Sequence, residues 1–418
     1  MRISTILVAA MSAWAIGPAS AIAQEGGIGQ WGQAVTDQLA SLASFSSYGP
    51  SCHNPVPAED TYCRDGCCGS CSHCCHRLDL WGSAEFLLWW SKGTVTSPLV
   101  TTSPPGTAQA DAGVLPDADV LFGGSYLGDE DQAGGRITLG IWLDPCHNTS
   151  AVGRFFGVGG ASDRFQASSD GDPILARPFY NVLLDQNDAL LVAFPGLTTG
   201  SINASLSNDF YSFQTYFQMM LDRNCNRRID LIAGYQFARL DDWLQIDSSS
   251  ILLELGDIQA DVRDRFSTQN EFHGGLIGMR AQMMRGCWSL DTLALLGLGV
   301  NSQQVEIAGR TIIDGAATVS GGLLAQETNI GTHRRDKFAA IPELTMNLRY
   351  HFNPCVSVHV GYSVVFFMDV VTSGRHIDTG VNTTQLGGPL LGEARPAFEF
   401  DDEYYWLQGI NFGVNWDF

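Results

Sequence analysis

The last sixteen residues, Glu403 to Phe418, alternate with a period of two. Tyr404, Trp406, Ile410, Phe412, Val414, Trp416 and Phe418 fall on one side, with Gln408 the single polar member. Glu403, Tyr405, Gly409, Asn411, Gly413, Asn415 and Asp417 fall on the other, broken only by Leu407. Successive side chains of a strand point to opposite faces, so this spacing predicts a strand with one apolar and one polar side.

Similar runs recur from Leu78 onward. Leu80, Gly82, Ala84, Phe86, Leu88 and Trp90 oppose Asp79, Ser83 and Glu85, and Ile137, Leu139, Ile141 and Leu143 oppose Arg136, Thr138 and Gly140. A weaker run follows from Val152 to Val158. Tyr211 to Leu221 and Ile229 to Phe237 repeat the pattern, Arg263 to Met284 is less regular, and Trp288 to Val300, Phe338 to Tyr350 and Val356 to Phe366 complete the series. With the terminal run this predicts about ten strands, an even number as single-chain bacterial barrels require. Val182 to Phe194 and Ile251 to Leu255 are the segments that would raise the count to twelve.

The connections alternate in length. Asp144-Pro145-Cys146, Arg223-Asn224-Cys225, Arg285-Gly286-Cys287 and Asn353-Pro354-Cys355 read as short turns. Ser91 to Gly134, Ala161 to Ser205, Asp247 to Val262, Arg310 to Asp336 and Thr372 to Asp402 read as long loops. Short turns at one end and long loops at the other match an all-β, transmembrane, antiparallel up-and-down barrel with its turns in the periplasm. No uncharged apolar run beyond the first residues reaches the roughly 20 residues of a spanning helix. Met1 to Ala23 reads as a Sec-type signal, with Arg2, an apolar stretch from Ile6 to Ile16 and Ala21-Ile22-Ala23 before Gln24. The expected layout is a signal over 1–23, a Cys-rich periplasmic segment over 24–77 and the barrel over 78–418. A net charge of -21 offers phosphates no basic groove and argues against nucleic acid as a partner.

The chain has 11 cysteines. Cys52, Cys63, Cys67, Cys68, Cys71, Cys74 and Cys75 crowd the segment before the barrel, and Cys146, Cys225, Cys287 and Cys355 each sit in a short turn. The spacing lacks the longer loop usual between the two ligand pairs of a zinc site, and no C-x-x-C-H haem motif is present. In an exported chain thiols this dense read as disulfides rather than a metal site. The candidate links join the segment to the turns, to neighbouring copies or to a cell-wall protein, and the odd total favours a link between chains. The plainer alternative treats the turn cysteines as isolated small hydrophobic residues.

Several stretches resemble a known family, the beta-barrel porin 7 type of outer-membrane proteins from planctomycete bacteria. They are Trp81 to Trp90, Val120-Leu121-Phe122-Gly123-Gly124, Gly134 to Leu143, Gly321-Gly322-Leu323-Leu324, Phe338-Ala339-Ala340-Ile341-Pro342-Glu343, Met346-Asn347-Leu348, Gly361-Tyr362-Ser363, Asp369-Val370-Val371, Ile377-Asp378 and Gln408 to Gly413. The aromatic ending also resembles the terminal strand of outer-membrane barrels, whose assembly machinery would read Ile410, Phe412, Val414, Trp416 and Phe418. The resemblance implies an outer-membrane barrel in contact with lipid, and no transport substrate.

No catalytic constellation, metal site or cofactor motif emerges. Asp129-Glu130-Asp131, Asp241-Asp242 and Asp401-Asp402 lack the glycine-centred loop of a calcium site. Ser357, His359 and Ser363 fall on the inward face without a nominated nucleophile. Glu85, Arg136, Asp230, Arg280, Glu343, Arg349, His359 and Asp369 put both signs of charge inside a cylinder barely wider than its side chains. Paired across the lumen, they predict a narrow channel or an envelope-structural protein tied by periplasmic disulfides, not an enzyme. A receptor or adhesin working through the long loops is the alternative.

Overall fold

Ten strands alternate direction around a closed ring: β1 (Leu80–Ser91), β2 (Asp131–Trp142), β3 (Thr149–Ser169), β4 (Thr198–Asn224), β5 (Arg227–Leu252), β6 (Ile258–Arg285), β7 (Trp288–Ile313), β8 (Gly331–Asn353), β9 (Val356–Val370) and β10 (Glu403–Asp417). The computed structural model describes residues 80–417, except 225, 254–255, 315–317, 354 and 387. The expected signal, the Cys-rich segment with Cys52, Cys63, Cys67, Cys68, Cys71, Cys74 and Cys75, and also Cys225 and Phe418, lie outside the described residues. The first strand and the last close the ring, from Trp81 opposite Asp417 to Ser91 opposite Leu407.

Pairing fixes the size of the ring. A row of directly opposed residues starts at Phe338 on β8 and passes Val300, His273, Phe237, Phe213, Phe155, Ile137, Ala84, Val414 and Val358. It returns to β8 at Tyr350, twelve residues along from its start. With strands about 4.8 Å apart and about 3.3 Å per residue, that stagger tilts them roughly 40° and gives a backbone radius of about 10 Å. Side chains from opposite walls therefore meet in the middle.

Every strand turns at least one large apolar side chain outward. Phe86, Leu139, Phe155, Phe217, Leu231, Ile277, Leu298, Phe338, Phe366 and Phe412 represent β1 to β10 in order, and the most exposed, Phe338, is 66% accessible. Facing water, such a belt would forfeit about 25 cal/mol per Å² of apolar surface. Facing hydrocarbon it costs nothing, and the strands pair around a closed ring as a lipid-facing sheet requires.

The wall is uneven in height. β1, β2, β9 and β10 end near the top of the belt, whereas β4 to β8 run on for 23 to 28 residues, far beyond the roughly 9–11 that a tilted strand needs to span. Above Phe237 the outward positions of β5 become Arg239 and Asp241, opposite Tyr211 and Gln269. This corrects the expected loops at Ala161 to Ser205, Asp247 to Val262 and Arg310 to Asp336, large parts of which are strand; only 253–257 separates β5 from β6. The reason is that a wall standing clear of the membrane buries its apolar residues inward, as Ile202, Ala204, Leu206, Leu244 and Ile246 are buried here. Neither segment suspected of raising the strand count does so. Ile251 and Leu252 close β5, and Gln186–Ala193 joins a small sheet in the mouth with Leu175–Asn181, Pro98–Thr102, Asp119–Gly123 and Gly380–Val381.

Candidate functional site

Along β1 the inward residues read Trp81, Ser83, Glu85, Leu87, Trp89 and Ser91, and this order reproduces the layers of the lumen from the short-turn end upward. The Glu85 layer is ionic. Arg136 donates through Nη1 to Glu85 Oε2 at 3.0 Å and through Nη2 to Ser363 Oγ at 3.2 Å. Arg154 donates to Glu343 Oε1 at 2.5 Å and to Gln214 Oε1 at 2.8 Å, and Gln214 Nε2 returns a bond to Glu343 Oε2 at 2.9 Å. His359 lies 3.6 Å from Glu85 and is held by Asn415 at 2.8 Å. Below, Arg280 and Arg349 share Asp291, and Asp230 takes bonds from Arg228 and Gln218. A cavity of about 70 Å³ opens among Trp81, Arg280, Asp291 and Arg349, polar and roomy enough for water.

The next layer is apolar and belongs to the wall itself. Leu87 and Trp89 from β1, Phe156 from β3, Phe210 from β4, Leu240 from β5, Phe272 from β6, Ile341 from β8, Phe367 from β9 and Leu407 from β10 are all at most 2% exposed and form one cluster. Trp89 meets Phe156 edge-on at 5.7 Å, and Phe272 meets Phe367 at 6.0 Å. Arg136 sits 5.2 Å from the Trp89 ring, so the ionic layer is stacked directly beneath the seal.

Above it, the mouth is packed by the small sheet and by the turn 321–326, which join the upper wall in a second apolar core. Asp264 on β6 is the centre of this packing. Fully buried, it accepts Arg177 Nη2 at 2.5 Å and the backbone amides of Leu323, Leu324 and Ala325 at 3.2, 3.1 and 2.8 Å. Gly322 passes so close that a Cβ there would stand 2.2 Å from Asp264 Oδ1, and Gly321 takes φ +112°, which glycine alone adopts without strain.

Of the eight charges expected inside, Glu85, Arg136, Asp230, Arg280, Glu343, Arg349 and His359 converge on the ionic layers. Asp369 does not. A register shift between Phe367 and Val370 and a φ of 55° turn its side chain to the rim, where Lys337 reaches it at 2.6 Å, while its carbonyl accepts Asn301 and Gln303. Ser357, His359 and Ser363 are buried, and Ser363 bonds Arg136, Thr345 and Asn411, all within the supporting network. Ile410, Phe412, Val414 and Trp416 lie on the outward side of β10, as the alternation requires. Cys146, Cys287 and Cys355 lie at the short-turn end, and Cys355 is an exposed free thiol. Sequence reasoning missed Arg154, Asp291 and the Asp264–Arg177 hub.

The sequence model described as "Putative beta barrel porin-7 (BBP7)" matches residues 81–418. The chain belongs to this family. It is thus an outer-membrane β-barrel of the porin kind. No curated protein matches it. Among solved structures, the outer membrane protease OmpT from Escherichia coli is 10% identical, covers 81% of this chain and 97% of its own, and has a TM-score of 0.38. The Pseudomonas putida toluene transporter TodX is 7% identical with 82% and 90% covered and a TM-score of 0.17.

Proposed function

We propose that this barrel is a sealed envelope protein, which fixes a large structured mouth to the cell surface, and not a route for solutes. The observation that carries the reading is the apolar layer of wall side chains across the lumen. Loop movement alone cannot part residues rooted in eight of the ten strands, and ions do not cross a dry aromatic layer lying on paired charges. Purified protein in a planar bilayer is expected to give no stepwise conductance. Regular single-channel steps from the native chain would overturn the proposal.

The same reading includes export by the signal at 1–23 into a planctomycete-type envelope and anchorage through the Cys-rich segment. Cys355, an exposed free thiol in a short turn at one end of the barrel, supports a disulfide link on the periplasmic side to that segment, to a second copy or to a cell-wall protein. Envelope extracts run without reductant are expected to show species larger than the monomer that collapse when reductant is added. A monomer in both lanes ends the intermolecular version.

A further inference from the structure

Two extracellular loops enter the mouth side by side, and both end on one carboxylate. Asp242 lies on β5 beyond Phe237, clear of the apolar belt, and is 2% exposed. Its Oδ2 accepts the hydroxyl of Thr94 at 3.2 Å, from the loop after β1. Its Oδ1 accepts the backbone amide of Ser373 at 2.7 Å, from the loop after β9. Both partners are neutral. Asn270, on the adjacent β6, clamps Val371 through two bonds of 2.8 Å, so the root of the second loop is held by one group that titrates and one that does not.

We propose that Asp242 is a pH-operated latch: uncharged, it pins the roots of both loops across the mouth, and on ionising it loosens them. Burial drives its carboxyl up from 3.8 to about 6, against the pull of Ser373 and Thr94 and with some help from the charge of Glu403. A folded value above the free one means that the docked mouth binds the proton more tightly. Docking is therefore strongest on the acid side and weakens as pH rises through about 6.

The other titratable groups around the latch are engaged elsewhere. Glu403 on β10 is tied to Lys92 at 2.7 Å and to Thr372. The Tyr405 hydroxyl is buried on the same strand. His376 donates from Nδ1 to the Thr372 carbonyl at 2.7 Å and accepts the Asp401 amide on Nε2 at 3.4 Å. Burial holds it below the ordinary histidine value, so its protonation works with the opposite sign, further into acid.

Hydrogen–deuterium exchange of the full chain in a bilayer, over 94–96 and 371–376 and corrected for intrinsic rates, tests this directly. The opening equilibrium is expected to be about tenfold larger at pH 8 than at pH 5. Asp242→Asn should flatten the response, and His376→Gln should leave it in place. Thr94→Ala removes one donor but keeps the carboxylate, and should move the midpoint upward. A flat native profile, a slope that survives Asp242→Asn or disappears in His376→Gln, or an unmoved midpoint in Thr94→Ala would each overturn the latch.

Discussion

Asp264→Ala is expected to loosen the barrel mouth by about 3–5 kcal/mol, because removing one partner leaves the other charge buried and uncompensated. Arg177 would keep only a 3.4 Å contact to Ser248 while remaining wholly buried. Three backbone amides of the turn 321–326 would lose their acceptor in the same step, and because buried donors left unsatisfied carry their own cost, the loss should lie toward the upper end of that range. Asp264→Asn keeps an acceptor oxygen for the amides but loses the charge that faces Arg177, so its loss should be smaller. The damage should stay local, since the belt and the ionic layer do not depend on this hub. Exchange protection over 175–181 and 321–326 should fall, with protection over 277–283 unchanged. Equal protection in the variant and the native chain would show that the mouth is held by its apolar core alone.

How far the fold could be read from sequence depended on which solvent each strand meets. On β10 and β9 the apolar face is the outward one along nearly the whole strand, and their bounds follow the alternation. On β3 both faces are apolar near the seal, because Phe155 points to lipid and Phe156 into the lumen, so the run from Val152 to Val158 reads weakly and Arg154 is hidden in it. On β5 the apolar side changes over, from Leu231 outward to Leu240, Leu244 and Ile246 inward, where the wall leaves the membrane. A rule that expects apolar residues outward throughout mistakes the upper wall for loop. The Asp264 hub was not legible for another reason. Its partners lie 59 to 87 residues away in sequence, and nothing local to any of them marks a contact. The Gly321-Gly322-Leu323-Leu324 stretch was recognisable as a family likeness, but its physical cause, three amides and a missing Cβ around one carboxylate, emerges only with the packing in view.

The ionic layer makes an equally sharp demand. Glu343→Ala is expected to cost about 3–5 kcal/mol, since it leaves a buried guanidinium unpaired. The Arg154 and Glu343 side chains are 2% and 0% accessible, and Gln214 is bonded to both. The triple replacement Arg154→Met, Gln214→Leu, Glu343→Leu removes every member of the group together, and apolar residues of similar volume in place of a buried ion pair are often neutral or stabilising. Most of the loss seen in Glu343→Ala should therefore return. Denaturant unfolding in lipid, followed by tryptophan fluorescence, measures both variants against the native chain; Trp89 lies beside Arg136 one layer above and should report the change. If the triple variant were as unstable as the single one, the charges would be contributing net stability to the seal, and a lumen closed by shape and apolar packing alone would be the wrong description of this barrel.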